Sequence, residues 1–239
     1  MVKKREGKKP FKVLLYGKQG SGKTSVTTYA PGPVALLSYD DTDGILDRFD
    51  VNKNVEPFNL ENKDNVLSET KQFVEIAKKG DYKTVVFDNL SALERIWFTS
   101  RANGKTKNDG ANDLKDYGVY TNQLTNMLNY IDTMLGDRNI IYTAWEGTQE
   151  ENLPSGQIIT QHAPELRKDF RSYLMGTVNV VATSQIDHET KQMFWQMHNT
   201  MNAFGKNQLN GVQNATFTEL FSAITADVNT QQKEEQNNG

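Results

Sequence analysis

Gly17-Lys18-Gln19-Gly20-Ser21-Gly22-Lys23-Thr24 is the stretch from which the rest of the chain is read. It fits G-x-x-x-x-G-K-[ST], the phosphate-binding P-loop, and its surroundings fit too. Phe11-Lys12-Val13-Leu14-Leu15-Tyr16 just before it reads as a buried strand, and residues 23–29 can open a helix. Glycines let such a loop wrap with its backbone N–H groups facing phosphate oxygens, and the positive end of the following helix adds to that field. Gly17, Lys18, Gln19, Gly20, Ser21, Gly22, Lys23, Thr24 and Ser25 are therefore the candidate nucleotide-binding residues. Lys23 is the group expected to reach the β- and γ-phosphates, and the Thr24 hydroxyl the one expected to ligate Mg²⁺.

Outward from the loop, Pro31-Gly32-Pro33 reads as a turn and Val34-Ala35-Leu36-Leu37-Ser38 as a short apolar strand. Asp40, Asp41 and Asp43 follow at its carboxyl end, where ligands of open α/β sheets bind. Residues 45–49 suggest a helical turn, 55–60 a strand, and 64–79 a helix from the spacing of Val66, Leu67, Phe73, Val74 and Ile76. Thr84-Val85-Val86-Phe87-Asp88 then has the form of a Walker B strand: a β-branched run expected beside the P-loop strand, delivering Asp88 toward Mg²⁺. Ser91-x-x-Glu94 has the spacing of a capping box for a helix ending near Arg101.

Residues 101–118 are polar and contain glycines, an unusual length of loop for a compact domain unless it has a task or moves. Arg101, Lys105, Lys107 and Lys115 could follow a nucleic-acid backbone there, with Tyr117 or Tyr120 as a stacking face. Asp109, Asp113 and Asp116 leave a merely solvated loop as an equal alternative. Residues 120–135 predict a helix, and Asn139-Ile140-Ile141-Tyr142-Thr143-Ala144 a core strand ending at Trp145-Glu146. Residues 147–160 suggest a hairpin or loose excursion, 165–174 a short helix, and 178–184 and 192–197 two late strands expected to be antiparallel additions. Strand and helix alternate from residue 11 to about 143, which indicates a parallel sheet wrapped by helices.

Composition limits the alternatives. The 239 residues suit one domain with tails: a basic flexible segment at 1–10, a domain at 11–225, and a polar, disordered segment at 226–239. Apolar residues make up 36%, and mean hydropathy is −0.67. No stretch has the length of a membrane span and the N-terminus lacks a signal peptide's apolar segment, so a cytoplasmic protein is expected. With no cysteine there are no disulfides or thiolate sites, and His162, His188 and His198 lack ligand spacing. A net charge of −3 gives no global signal for nucleic acid, although six basic residues fall within the first twelve positions against a single Glu6.

The chain resembles the RecA-like ATPases, and more closely the phage-encoded nucleotide-binding proteins of that class that act as single-strand annealing recombinases. The residues that carry this are the P-loop, Leu36-Leu37-Ser38-Tyr39-Asp40-Asp41, Val85-Val86-Phe87-Asp88-Asn89-Leu90-Ser91-Ala92-Leu93, Ile141-Tyr142-Thr143-Ala144-Trp145-Glu146, and Ala203-Phe204-Gly205-Lys206-Asn207-Gln208. The resemblance implies a mostly parallel central sheet flanked by helices, with late antiparallel strands. It further implies ATP and Mg²⁺ as ligands, with Asp40, or failing it Asp41, polarising the attacking water, although the class more often has Glu there. By the same resemblance Glu146 ends the sensor strand, Lys206 is the cation supplied across a subunit interface, and the partners are single-stranded DNA and further copies of the chain. Two other readings stay open: an ATP-dependent partner-binding switch, such as a helicase loader or packaging accessory, and a small-molecule kinase.

Overall fold

The computed structural model describes residues 10–48, 54–103, 114–152 and 155–226. The expected basic and polar tails lie outside the described residues, apart from Pro10 and Ala226, as do Lys105 and Lys107. In chain order the elements are β1 (Lys12–Gly17), α1 (Lys23–Val26), β2 (Val34–Ser38), β3 (Val55–Asn59), α2 (Val66–Lys79), β4 (Thr84–Asp88), α3 (Leu90–Asn103) and α4 (Leu114–Leu135). There follow β5 (Asn139–Asn152), β6 (Ile158–Pro164), α5 (Lys168–Thr177), β7 (Val180–Ile186), β8 (Met193–Gln196), β9 (Lys206–Asn207), β10 (Asn214–Thr216) and α6 (Leu220–Thr225).

The main sheet runs β10-β8-β7-β1-β5-β4-β2-β3. From β7 to β3 every neighbouring pair is parallel, while β8 and β10 are antiparallel. The expected mostly parallel central sheet flanked by helices, with late antiparallel strands, is thus the one observed, with two corrections. β4 does not lie beside the P-loop strand, because β5 is inserted between them, pairing Lys12 with Ile140 on one side and Thr84 with Asn139 on the other. And β7 is a core strand parallel to β1, not an antiparallel addition. Its continuous apolar run Val180-Val181-Ala182, wholly buried, is the pattern of a strand covered on both faces.

Alternation along each strand divides the core. Leu14, Tyr16, Leu37, Val85, Phe87 and Tyr142 face α2, α3, α4 and α5, through side chains such as Phe73, Leu93, Leu124 and Phe170. Val13, Leu15, Leu36, Val86, Ile141 and Val180 face Val26 of α1 and Leu220, Phe221 and Ile224 of α6. α3 starts two residues earlier than the capping box implied, and Ser91 does not cap it. The Asn89 carboxamide oxygen accepts the Ala92 N–H at 2.8 Å instead. Glu94 is taken by the Tyr120 hydroxyl at 2.6 Å and the Arg167 N–H at 3.0 Å. The expected polar loop is shorter than its sequence suggested, since α3 reaches Asn103 and α4 begins at Leu114. The excursion after β5 is a hairpin: β5 continues to Asn152 and pairs antiparallel with β6.

Leu14→Ala, in the fully buried centre of β1, is expected to lower unfolding stability by about 2–5 kcal/mol in urea titrations. Ile76→Ala, on α2 with 47% exposure, is expected to stay within about 0.5 kcal/mol of the parent.

Candidate nucleotide site

Because the central strands are parallel, their carboxyl ends open at one edge, where the P-loop, Asp40, Asp88 and Trp145 meet. They line a cleft of about 530 Å³ with Gln19, Gly20, Gly22, Lys23, Thr24, Ser25, Thr42, Ile45 and Asn89. The loop leaves β1 at Gly17 and turns through Gly20 and Gly22, both in the left-handed region at φ 74° and 76°, where a side chain would be strained. Gly22 is constrained a second time, because a Cβ there would meet the ring of Phe217. Val26 N–H donates to Gly22 O at 2.9 Å and starts the helix.

Lys23 is 7% exposed and folds along the loop, its Nζ donating to Gly17 O at 2.9 Å and Lys18 O at 2.8 Å. Burial lowers its pKa, and the carboxylates of Asp88, Asp40 and Glu146 oppose that shift. Asp88 is buried at the end of β4 and accepts from two hydroxyls: Thr24 Oγ1 to Oδ2 at 2.5 Å, and Thr143 Oγ1 from the neighbouring β5 to Oδ1. Burial raises its pKa, against those two hydrogen bonds and the charge of Lys23. The Thr24 hydroxyl and Asp88 carboxylate are adjacent hard oxygen donors, which suits Mg²⁺ completed by phosphate oxygens and water. Among the described residues no group of three or more His, Asp or Glu could hold a metal by itself.

The two aspartates after β2 diverge. Asp40 lines the cleft, its carboxylate accepting from Asn89 Nδ2 and from Thr42 Oγ1, the latter at 2.7 Å. Asp41, at φ 57°, turns outward to an ion pair with Lys63 at 2.6 Å. Glu146 lies behind the loop, paired with His162 at 3.3 Å, in a second cleft of about 450 Å³ that shares Gln19 and Gly20 with the first. Lys206 is not brought to the P-loop of its own chain. It pairs with Val181 near the start of β7, and its Nζ donates to Met175 O at 2.7 Å. Arg101 binds the buried Asp116 at 3.1 Å and lines a separate cleft with Trp97 and Gln123. Lys115 is exposed at the start of α4.

Several residues at the site were not assigned to it from the sequence. Thr143 and Asn89 announce themselves only as polar side chains in or directly after buried strands, which is a weak signal. Ser91 takes the Trp145 N–H at 2.9 Å and donates to Glu165 O at 2.8 Å, so one hydroxyl ties both strands of the hairpin at its root. The Arg95 guanidinium covers the Trp145 ring at 4.4 Å and reaches Glu165 at 2.8 Å.

Since the folded state holds the Asp88 proton above the ordinary value of 3.8, this group's contribution to stability falls as pH rises through that region. Without nucleotide or Mg²⁺, Asp88→Asn is expected to unfold at higher urea than the parent at neutral pH, with the gap narrowing toward pH 3.8. Urea midpoints across the pH series check this, and a variant weaker than the parent at neutral pH would refute it.

No curated protein matches the sequence. Among solved structures, the flagellar accessory protein FlaH from Methanocaldococcus jannaschii is similar over 85% of this chain and 83% of its own, at 15% identity and a TM-score of 0.48. No helix among the described residues is long and apolar enough to cross a membrane. The family model for the AAA domain matches residues 9–209, and the chain belongs to this AAA-domain family of P-loop ATPases.

Proposed function

We propose that the cleft binds ATP with Mg²⁺ and hydrolyses the nucleotide, and that the chain acts as a homo-oligomer whose ATP state is coupled to single-stranded DNA in phage recombination or replication. The observation that carries the nucleotide reading is the convergence of Lys23, Thr24 and Asp88 at the end of β1 and β4. Bound Mg²⁺ would neutralise charge on the phosphates during transfer to water. The loop N–H groups and Lys23 bind the phosphate oxygens, Lys23 exchanging its contacts with the Gly17 and Lys18 carbonyls for them. Thr24 and Asp88 hold the metal. Asp40, facing the cleft, orients a water and takes its proton, a role for which Asp41 is less suited while it pairs with Lys63. Glu146 acts from behind the loop as the sensor, and Lys206 of a neighbouring copy supplies the last cation.

The DNA part of the reading rests on the family resemblance and on Lys115, Lys105 and Lys107 as backbone contacts; Arg101 contributes only if it leaves Asp116. One observation favours the second reading, an ATP-dependent switch acting on a protein. The hairpin that grows from the cleft, residues 146–164, contains no Lys or Arg and carries Glu150 and Glu151. A strand-lining element would be expected to be basic.

ATP hydrolysis with Mg²⁺, with and without a poly-dT oligonucleotide at low and moderate salt, separates these. Lys23→Ala is expected to lose hydrolysis by about a hundredfold or more with an unchanged unfolding midpoint, and chelation of Mg²⁺ to stop turnover. Oligonucleotide stimulation that weakens with salt supports the DNA reading. Turnover that ignores the oligonucleotide, without salt-sensitive binding of it, transfers support to the protein switch.

A further inference from the structure

We infer that Asn89 is the positioning residue for the water-activating carboxylate: it sets Asp40 from the end of the neighbouring strand β4 while its other end is locked into the start of α3. The inference rests on the hydrolytic reading above. Asn89 follows Asp88 directly and is 2% exposed, yet both ends of its carboxamide are used. Nδ2 donates to Asp40 Oδ2, and Oδ1 accepts the Ala92 N–H at 2.8 Å. An amide has one accepting and one donating end, so capping a helix with the oxygen leaves only the nitrogen for Asp40. This orientation presents an N–H donor to the carboxylate and so fixes where Asp40 Oδ2 lies.

The geometry also explains why one carboxylate is chosen over its neighbour. Asp40 and Asp41 are adjacent on the exit from β2, and nothing in β2 itself selects between them. Tyr39 N–H donates to Asp88 O at 2.7 Å, which brings the segment after β2 against the end of β4. There Asn89 meets Asp40, and Asp41 is left to Lys63. Thr42 Oγ1 takes the other Asp40 oxygen at 2.7 Å, but from an exposed position where water competes. The buried donor is therefore the one that fixes the carboxylate.

Asn89→Ser tests this, because serine is also a good helix N-cap but cannot reach Asp40. The variant is expected to keep the parental unfolding midpoint and the parental KM for ATP within about twofold, while kcat falls by about tenfold or more, the range that misplacement of a reacting group produces. The deciding measurement is a double-mutant cycle with Asp40→Asn. If Asn89 acts through Asp40, adding Asn89→Ser to Asp40→Asn changes kcat by less than about twofold. Equal losses of kcat in both backgrounds, or a loss confined to KM, would overturn the inference while leaving the hydrolytic reading intact. Parental turnover in Asp40→Asn alone would overturn both the base assignment and the role of Asn89. Hydrolysis absent in the parent protein, with nucleotide still bound, would sink the hydrolytic reading and this inference with it.

Discussion

The Asp88 carboxylate, gripped by two hydroxyls, is the constraint on which the site depends. Thr24 comes from the start of α1, Thr143 from β5, and Asp88 from β4, so a single buried group fixes three neighbouring segments relative to one another. Holding an anion there costs solvation, and the hydroxyls and Lys23 offset that only in part, as the raised pKa records. A folded protein retains so unfavourable a group where its work requires the charge. The same tension runs through Lys23, which burial discourages from carrying charge while three carboxylates encourage it. The two shifts have one cause, a cleft floor withdrawn from water on which opposite charges are kept close.

Much of this was legible in the sequence, because the informative features are local. The glycines at 20 and 22 are required by backbone angles that other residues avoid, and the apolar runs of β1, β2 and β4 reveal buried parallel strands without reference to their neighbours. Strand order was not legible. The insertion of β5 between β1 and β4 is decided by which helices pack where, and no residue of Ile140-Ile141-Tyr142 encodes its neighbours. β7 was not legible either, because its two parts pair differently: residues 180–183 run parallel to β1, while residues 183–186 pair antiparallel with β8.

The pair Asp40 and Asp41 shows the same limit at the scale of one side chain. Their sequence context is nearly identical, and the difference between a cleft carboxylate and a surface ion pair arises from contacts with Asn89 and Lys63, respectively 49 and 22 residues away. Ser91 and Glu94 give the converse case. Their spacing matched a helix cap, but the tertiary partners Trp145, Glu165, Tyr120 and Arg167 offered better hydrogen bonds, and Asn89 took over the cap. Local propensity proposes, and long-range partners decide.

β5 has no joint between the cleft and the hairpin. Its 14 residues form one continuous strand, the first half in the parallel sheet and the second paired with β6. Between those halves the Ser91 hydroxyl pins Trp145 to Glu165, as a fulcrum pins a beam. Anything that grips the hairpin tip therefore acts with a long lever arm on the wall of the cleft where Trp145 stands. A load at the far end arrives as torque on the site, with no hinge to absorb it on the way.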